Sequence, residues 1–106
     1  MKFEFFKDEL EEVHETISSK SSATVEFSKN ELEQVHKTIG HNVKKYREKK
    51  GISQLELSLE MGNKSVSLVS AAELNTDKKH FNIEHLYKIS KILDVDISVF
   101  FENLPK

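Results

Sequence analysis

A chain of 106 residues, 37% hydrophobic and 32% charged with a formal net charge of -2, has the profile of one small folded domain, or of a module of about 60 to 70 residues with an appendage, and not of a disordered chain; a multidomain enzyme is not expected. It contains no cysteine, which removes disulfides, thiolate metal sites and cysteine nucleophiles, and no apolar run approaches the roughly 18 residues of a membrane-spanning helix. Charge is uneven: residues 1–36 sum to -5 and the remainder to +3, with Lys37, Lys44, Lys45, Arg47, Lys49 and Lys50 facing one acid, Glu48.

In chain order the first feature is an internal repeat. FEFFKDELEEVHETI (3–17) and VEFSKNELEQVHKTI (25–39) are identical at ten of fifteen positions. In both copies a short alternating stretch (Phe3, Phe5; Val25, Phe27) precedes apolar residues three and four apart (Leu10, Val13, Ile17; Leu32, Val35, Ile39), so each copy is expected to be a strand followed by an amphipathic helix. Ser28 with Glu31 forms a capping-box signature, and Lys20 to Thr24 reads as the linker. The acidic start of the chain lacks the apolar core of a signal peptide, so a cytoplasmic protein without membrane association is expected. The repeat also duplicates Glu-x-x-His, as Glu11 with His14 and Glu33 with His36; this is half of a bundle-type di-metal site, and the bridging carboxylates of the other half are missing. No metal and no cofactor are expected.

The second helical stripe continues through Val43 and Tyr46, predicting one helix from about Asn30 to Lys50, kinked or broken at Gly40 and closed by Gly51. Ser53 is an N-cap with Glu56 at the box position; the short helix it opens buries either Leu55 and Leu59 or Leu57 and Met61 and stops at Gly62. After a turn at Asn63 to Ser65, Ser65 caps a third helix with Leu68 or Val69 and Ala72 inward and Ser67, Ser70 and Ala71 outward. Two short helices joined around a glycine have the shape of a helix-turn-helix. A polar loop, Asn75 to His80, leads to a helix capped by Asn82, with Ile83, Leu86, Tyr87, Ile89, Ile92 and Leu93 on its apolar side and Asp94 at its end. VDISVFFEN supplies a final short helix, with Val95, Ile97, Phe100 and Phe101 facing the core or a partner, which makes five helices from Asn30 onward.

From Ile39 to Phe101 the chain resembles the phage-repressor (Cro-like, XRE-like) helix-turn-helix family. The resemblance is carried by Arg47, Gly51-Ile52-Ser53-Gln54, Leu57, Met61-Gly62, Glu73 and the Leu-x-x-Ile-x-x-x-Leu-x-Val run at 86–95. It implies an all-α, five-helix repressor-like DNA-binding domain, assigned to 28–106; the repeat makes residues 1–27 an N-terminal strand-helix extension, and dimerisation is expected through this arm or through Phe100 and Phe101 of the last helix. It further implies that Ser53 and Gln54 approach DNA phosphate and that the third helix enters the major groove with Lys64, Ser65, Ser67, Ser70 and Ala71 near base edges. Lys44, Lys45, Lys78 and Lys79 are candidate phosphate contacts, and Arg47 with Glu73 matches a structural ion pair of the family. Two departures stand out: the turn around Asn63 to Val66 is one residue long for the family pattern, and Ser65 to Glu73 contains no Arg, Asn or Gln for bidentate base contacts.

The leading expectation is a transcriptional repressor acting as a homodimer on an inverted repeat in double-stranded DNA. The alternative keeps the fold but takes a toxin or another protein as partner, as an antitoxin would, with weak DNA binding. A third option has the acidic arm cover the basic face and compete with DNA. An enzyme is not expected, because no phosphate loop, nucleophile triad or apolar acid pair is present.

Overall fold

The computed structural model describes residues 24–106; the first copy of the repeat lies outside the described residues. Ordered along the chain are α1 (Lys29–Lys50), α2 (Gln54–Glu60), α3 (Ser67–Leu74), α4 (Ile83–Leu93) and a 3-10 helix (Ile97–Phe101). The described part is thus all-helical, but with four α-helices and a 3-10 turn in place of five α-helices. The last segment is too short to gain from α-type bonding and closes i to i+3 instead, with the Val99 N–H donating to the Asp96 carbonyl at 3.0 Å.

Residues 25–27 form no strand. Val25 is 88% and Phe27 65% exposed, and among the described residues there is no neighbouring strand to receive their backbone groups. α1 begins where its cap stands: Ser28 is extended and its Oγ accepts the Glu31 N–H at 3.1 Å. The helix then runs unbroken for 22 residues to Gly51, whose φ of 83° is the left-handed ending that glycine permits. Gly40 therefore neither kinks nor breaks it. A Cβ at Gly40 would lie 2.3 Å from the Ala72 carbonyl oxygen and 2.9 Å from that of Glu73, so this glycine is where α1 crosses the end of α3.

One core holds the helices together. Val43 of α1, Leu57 of α2, Val69 and Ala72 of α3, Ile89 of α4 and Phe100 of the 3-10 helix are all fully buried, each large side chain contributing roughly 1.5–3 kcal/mol of transfer free energy. Of the two faces that periodicity allowed for α2, the fold buries Leu57 and Met61 and leaves Leu55 and Leu59 more than half exposed. On α4 the inward set is Leu86, Ile89 and Leu93; Ile83 and Tyr87, expected on that side, are 65% and 56% exposed. Phe100 has no surface left for a partner, and Phe101 is half-buried beside it.

The ends of α4 are fixed locally. Asn82 Oδ1 accepts the His85 N–H at 2.7 Å while His85 Nδ1 accepts the Asn82 N–H at 3.1 Å, and Asp94 closes the helix in the left-handed conformation. The 3-10 helix lies against α1 and α4, tied down by Asn42, whose buried amide donates to the carbonyls of Phe100 and Glu102, both at 2.9 Å. α2 and α3 pack on each other, α3 also against α1 and α2 against α4.

Candidate nucleic-acid interface

A buried ion pair joins α1 to the end of α3. Arg47 Nε donates to Glu73 Oε2 at 2.7 Å and a second guanidinium nitrogen donates to Oε1 at 3.0 Å, a two-pronged contact between side chains only 8% and 0% exposed. The third prong of Arg47 reaches the Ile52 carbonyl at 2.9 Å, fixing the turn before α2. Gln54 Nε2 also donates to Glu73 Oε1, at 2.8 Å. The carboxylate raises the Arg47 pKa through this bonding, against the pull of burial. One carboxylate thus sets the end of α1, the first residue of α2 and the last turn of α3 in a single geometry. Gln54, expected at DNA phosphate, is half-buried with one amide hydrogen committed to Glu73.

α2 starts at a complete capping box: Ser53 Oγ accepts the Glu56 N–H at 3.0 Å and Glu56 Oε1 accepts the Ser53 N–H at 2.7 Å. Its far end is held by Lys88 of α4, whose Nζ donates to the Met61 carbonyl at 3.2 Å. Gly62, at a φ of 91°, then turns the chain, and the turn extends to Val66.

α3 differs from expectation at its start. The N-cap position is Val66, with a helical backbone and no side-chain cap; Ser65, expected to cap, stands one residue earlier. Its Oγ accepts the Ser67 N–H at a long 3.3 Å and shares a 2.8 Å hydrogen bond with the Ser67 hydroxyl. The N-cap position calls for an extended residue with a side-chain acceptor, and Val66, helical and apolar, supplies neither. Val69, Ala72 and Glu73 face inward; Ser67 is exposed, Ser70 and Ala71 are half-buried, and Leu74 is 59% exposed. Positions 67, 70, 71 and 74 are spaced as one helical stripe. Leu74 is the residue of this stripe that sequence reading missed; its place seven residues after Ser67 was the available signal.

The loop after α3 is held in place from both sides. Asn75, Asp77 and Lys78 have φ of 58°, 53° and 58°, left-handed values that Asn and Asp tolerate better than Lys does. The Thr76 N–H donates to the Ala71 carbonyl at 2.9 Å, ending α3, and Lys78 and Lys79 are exposed on the loop. At its end the His80 ring stacks on His36 of α1, with centroids 3.7 Å apart and planes 17° from parallel. Burial and the neighbouring His80 hold the His36 pKa below its ordinary value, Glu33 opposing them. The Glu33-x-x-His36 pair therefore presents an imidazole engaged by another ring. Among the described residues no three His, Cys, Asp or Glu side chains gather at metal-binding distance.

The lysines divide by position. Lys64, exposed in the turn between α2 and α3, and Lys78 with Lys79 flank α3 in sequence on either side. Lys44 and Lys45 line an open groove of about 520 Å³ with His41, Glu48 and Lys49. Lys45 is drawn to Glu102, Nζ to Oε1 3.7 Å, where the 3-10 helix ends. Tyr46 also donates its hydroxyl to Glu102, at 2.9 Å, and this bond raises the tyrosine pKa. No helix of the described residues is long and apolar enough to cross a membrane.

Compared with known families, the chain matches the model described as helix-turn-helix over residues 43–100, more than half of its length and all of α2, α3 and α4. No curated protein and no solved structure matches it.

Proposed function

We propose, from the premise that the chain belongs to the XRE-family helix-turn-helix proteins and carries the DNA-binding domain of a transcription regulator, that it acts as a repressor. In this reading two copies bind an inverted repeat, each laying α3 in the major groove, with the two reading helices about 34 Å apart. The observation that carries the proposal is the outward stripe of α3, Ser67, Ser70, Ala71 and Leu74, held rigidly to α1 and α2 by the Arg47–Glu73–Gln54 network. Serine hydroxyls supply adaptable hydrogen bonds, while Ala71 and Leu74 offer apolar contact to thymine methyl groups. Lys64, Lys78 and Lys79 supply phosphate contacts on either side, and Ser53 with Gln54 adds one at the start of α2. Lys44 is a further phosphate candidate; Lys45 is a weaker one, since Glu102 already engages it. The role places the protein in the cytoplasm.

A second reading has one specific observation in its favour. Ser67–Leu74 contains no Arg, Asn or Gln, the side chains that make bidentate contacts to guanine or adenine. A face of this kind suits a protein partner, such as a toxin that the chain neutralises. Selection from a random-sequence DNA library at physiological salt separates the two. Enrichment of a two-fold symmetric site is expected, with Ser67→Ala and Ser70→Ala relaxing preference at particular base pairs and Lys78→Ala weakening all sites alike. Recovery of no preferred sequence, with binding abolished by added salt, overturns the repressor reading and leaves the protein-partner one.

A further inference from the structure

The end of the loop between α3 and α4 is fastened by two imidazoles, His36 and His85, and both fastenings call for an uncharged ring. His80, the last residue of the loop, stacks on His36 of α1 with centroids 3.7 Å apart. His36 Nδ1 is buried and meets no hydrogen-bond partner among the described residues, so a proton placed there finds no acceptor. Phe81, next in the chain, is buried in the core with its edge toward the His85 ring, centroids 6.2 Å apart and planes at 81°. His85 completes the capping box of α4 with its own ring, Nδ1 accepting the Asn82 N–H at 3.1 Å. A backbone N–H only donates, so this nitrogen carries a lone pair; protonation turns it into a second donor facing the first. Glu or Gln, the ordinary residues at this box position, accept throughout the neutral range.

The loop fastened in this way is not in a relaxed conformation. Lys78 stands at a φ of 58°, between Asp77 at 53° and exposed Lys79, and a lysine keeps a left-handed backbone only where its surroundings impose it. Charged and titratable groups reach the two rings from three sides: Glu33 on α1 beside His36, Glu84 and Lys88 on α4 beside His85, and His80 from the loop toward both. Burial comes first in holding both pKa values below the ordinary 6.5, and His80, with Lys88 at His85, adds to it against Glu33 and Glu84.

We propose that His36 and His85 form a proton-sensitive clasp on the α3–α4 loop: uncharged they hold its end in place, and acid releases it together with Lys78 and Lys79. The released form binds protons more tightly than the held one. The clasp is therefore complete above about pH 6.5 and opens as the pH falls toward the lowered pKa values. It does not depend on what α3 contacts. In a DNA-binding molecule, acid takes from α3 two cations fixed at its flank, which are suited to phosphate.

The test needs no DNA: backbone order parameters and histidine ring resonances are followed by NMR in the full chain as the pH is lowered from about 7.5. Order at residues 78–82 is expected to fall from about 0.85, the value of rigid backbone, to below about 0.6, in step with the titration of His36 and His85. Val43 and Ile89, inside α1 and α4, are expected to keep theirs. Unchanged order at 78–82 after both rings have titrated overturns the proposal, and so does an equal loss at Val43 and Ile89. A double variant sharpens the result. His36→Phe keeps a flat ring against His80 and His85→Gln keeps an acceptor in the box, but neither takes up a proton, so the loop is expected to stay ordered in acid. The same loss of order as in the parent chain overturns the clasp; should the variant fail to fold, the parent titration decides alone.

Discussion

Helices α2 and α3 are seven and eight residues long and pack against each other, yet their ends are held by different means. α2 has a complete capping box at Ser53 and Glu56, so its start is written in four consecutive residues. α3 has no side-chain cap at Val66 and relies on other elements: Glu73 on Arg47, and Ala72 and Glu73 on the close crossing at Gly40. The outward stripe of α3 is thereby positioned by the helix's inward face. The start of α2 is fixed by a local cap, whereas the start of α3 has none and the helix is fixed from its far end by other elements.

If α3 depends on distant contacts, breaking them should cost the most. Arg47→Ala leaves a buried carboxylate without its cation and is expected to lower stability by roughly 3–5 kcal/mol in urea denaturation. The double change Arg47→Met with Glu73→Leu should cost less than Arg47→Ala, because neither charge is left alone. Gly40→Ala comes next: the added methyl meets the Ala72 carbonyl, and a loss of about 1–3 kcal/mol is expected despite alanine's better helix propensity. Two serines then test the local side directly. Ser53→Ala removes a working cap and should cost about 1 kcal/mol, whereas Ser65→Ala removes two exposed contacts with Ser67, at 3.3 Å to its N–H and 2.8 Å to its hydroxyl, and should stay within about 0.5 kcal/mol. Equal costs for the two serines would erase the contrast between the helices.

The smallest expected effect is one of pH. Burial holds the pKa values of His36 and His85 below the ordinary 6.5, His80 adding to the effect on both. The unfolded chain then binds more protons than the folded one as the pH falls below about 6.5. Stability is complete above that value and declines on acidification toward the lowered pKa values. Urea midpoints at pH 7.5 and 5.5 should show the decline, and His36→Gln should flatten part of it.

What could be read in the sequence follows the same division. Ser28, Ser53, Asn82 and Asp94 were legible as helix ends because a cap and its partner lie within three or four residues. The buried face of α2 is ambiguous in the sequence because Leu55, Leu57, Leu59 and Met61 satisfy helical spacing twice over, and the packing of α3 and α4 on it decides between them. Gly40 reads as a kink or break because nothing in its own helix reveals the backbone that crosses it. The alternation at 25–27 suggested a strand, but a strand needs a neighbour that alternation does not provide. Arg47 and Glu73 are 26 residues apart, beyond any periodicity, and their pairing was legible only through family resemblance. Ser67, Ser70 and Ala71 read as outward from spacing alone, and Leu74, seven residues after Ser67, lies on the same stripe, while the late start of α3 depends on the backbone at Val66.

The clasp of Asn42 on the carbonyls of Phe100 and Glu102 bears on the order in which the protein can be built. A ribosome delivers α1 first, but the groups that satisfy its buried amide and fill the space beside Val43 follow some 58 residues later. Until residues 100–102 emerge, α1 carries an open apolar flank with an unpaired amide in it. Folding is therefore expected to close in a single late step and not helix by helix, and nascent chains stopped before Phe100 should be degraded by protease where those extended past Glu102 resist.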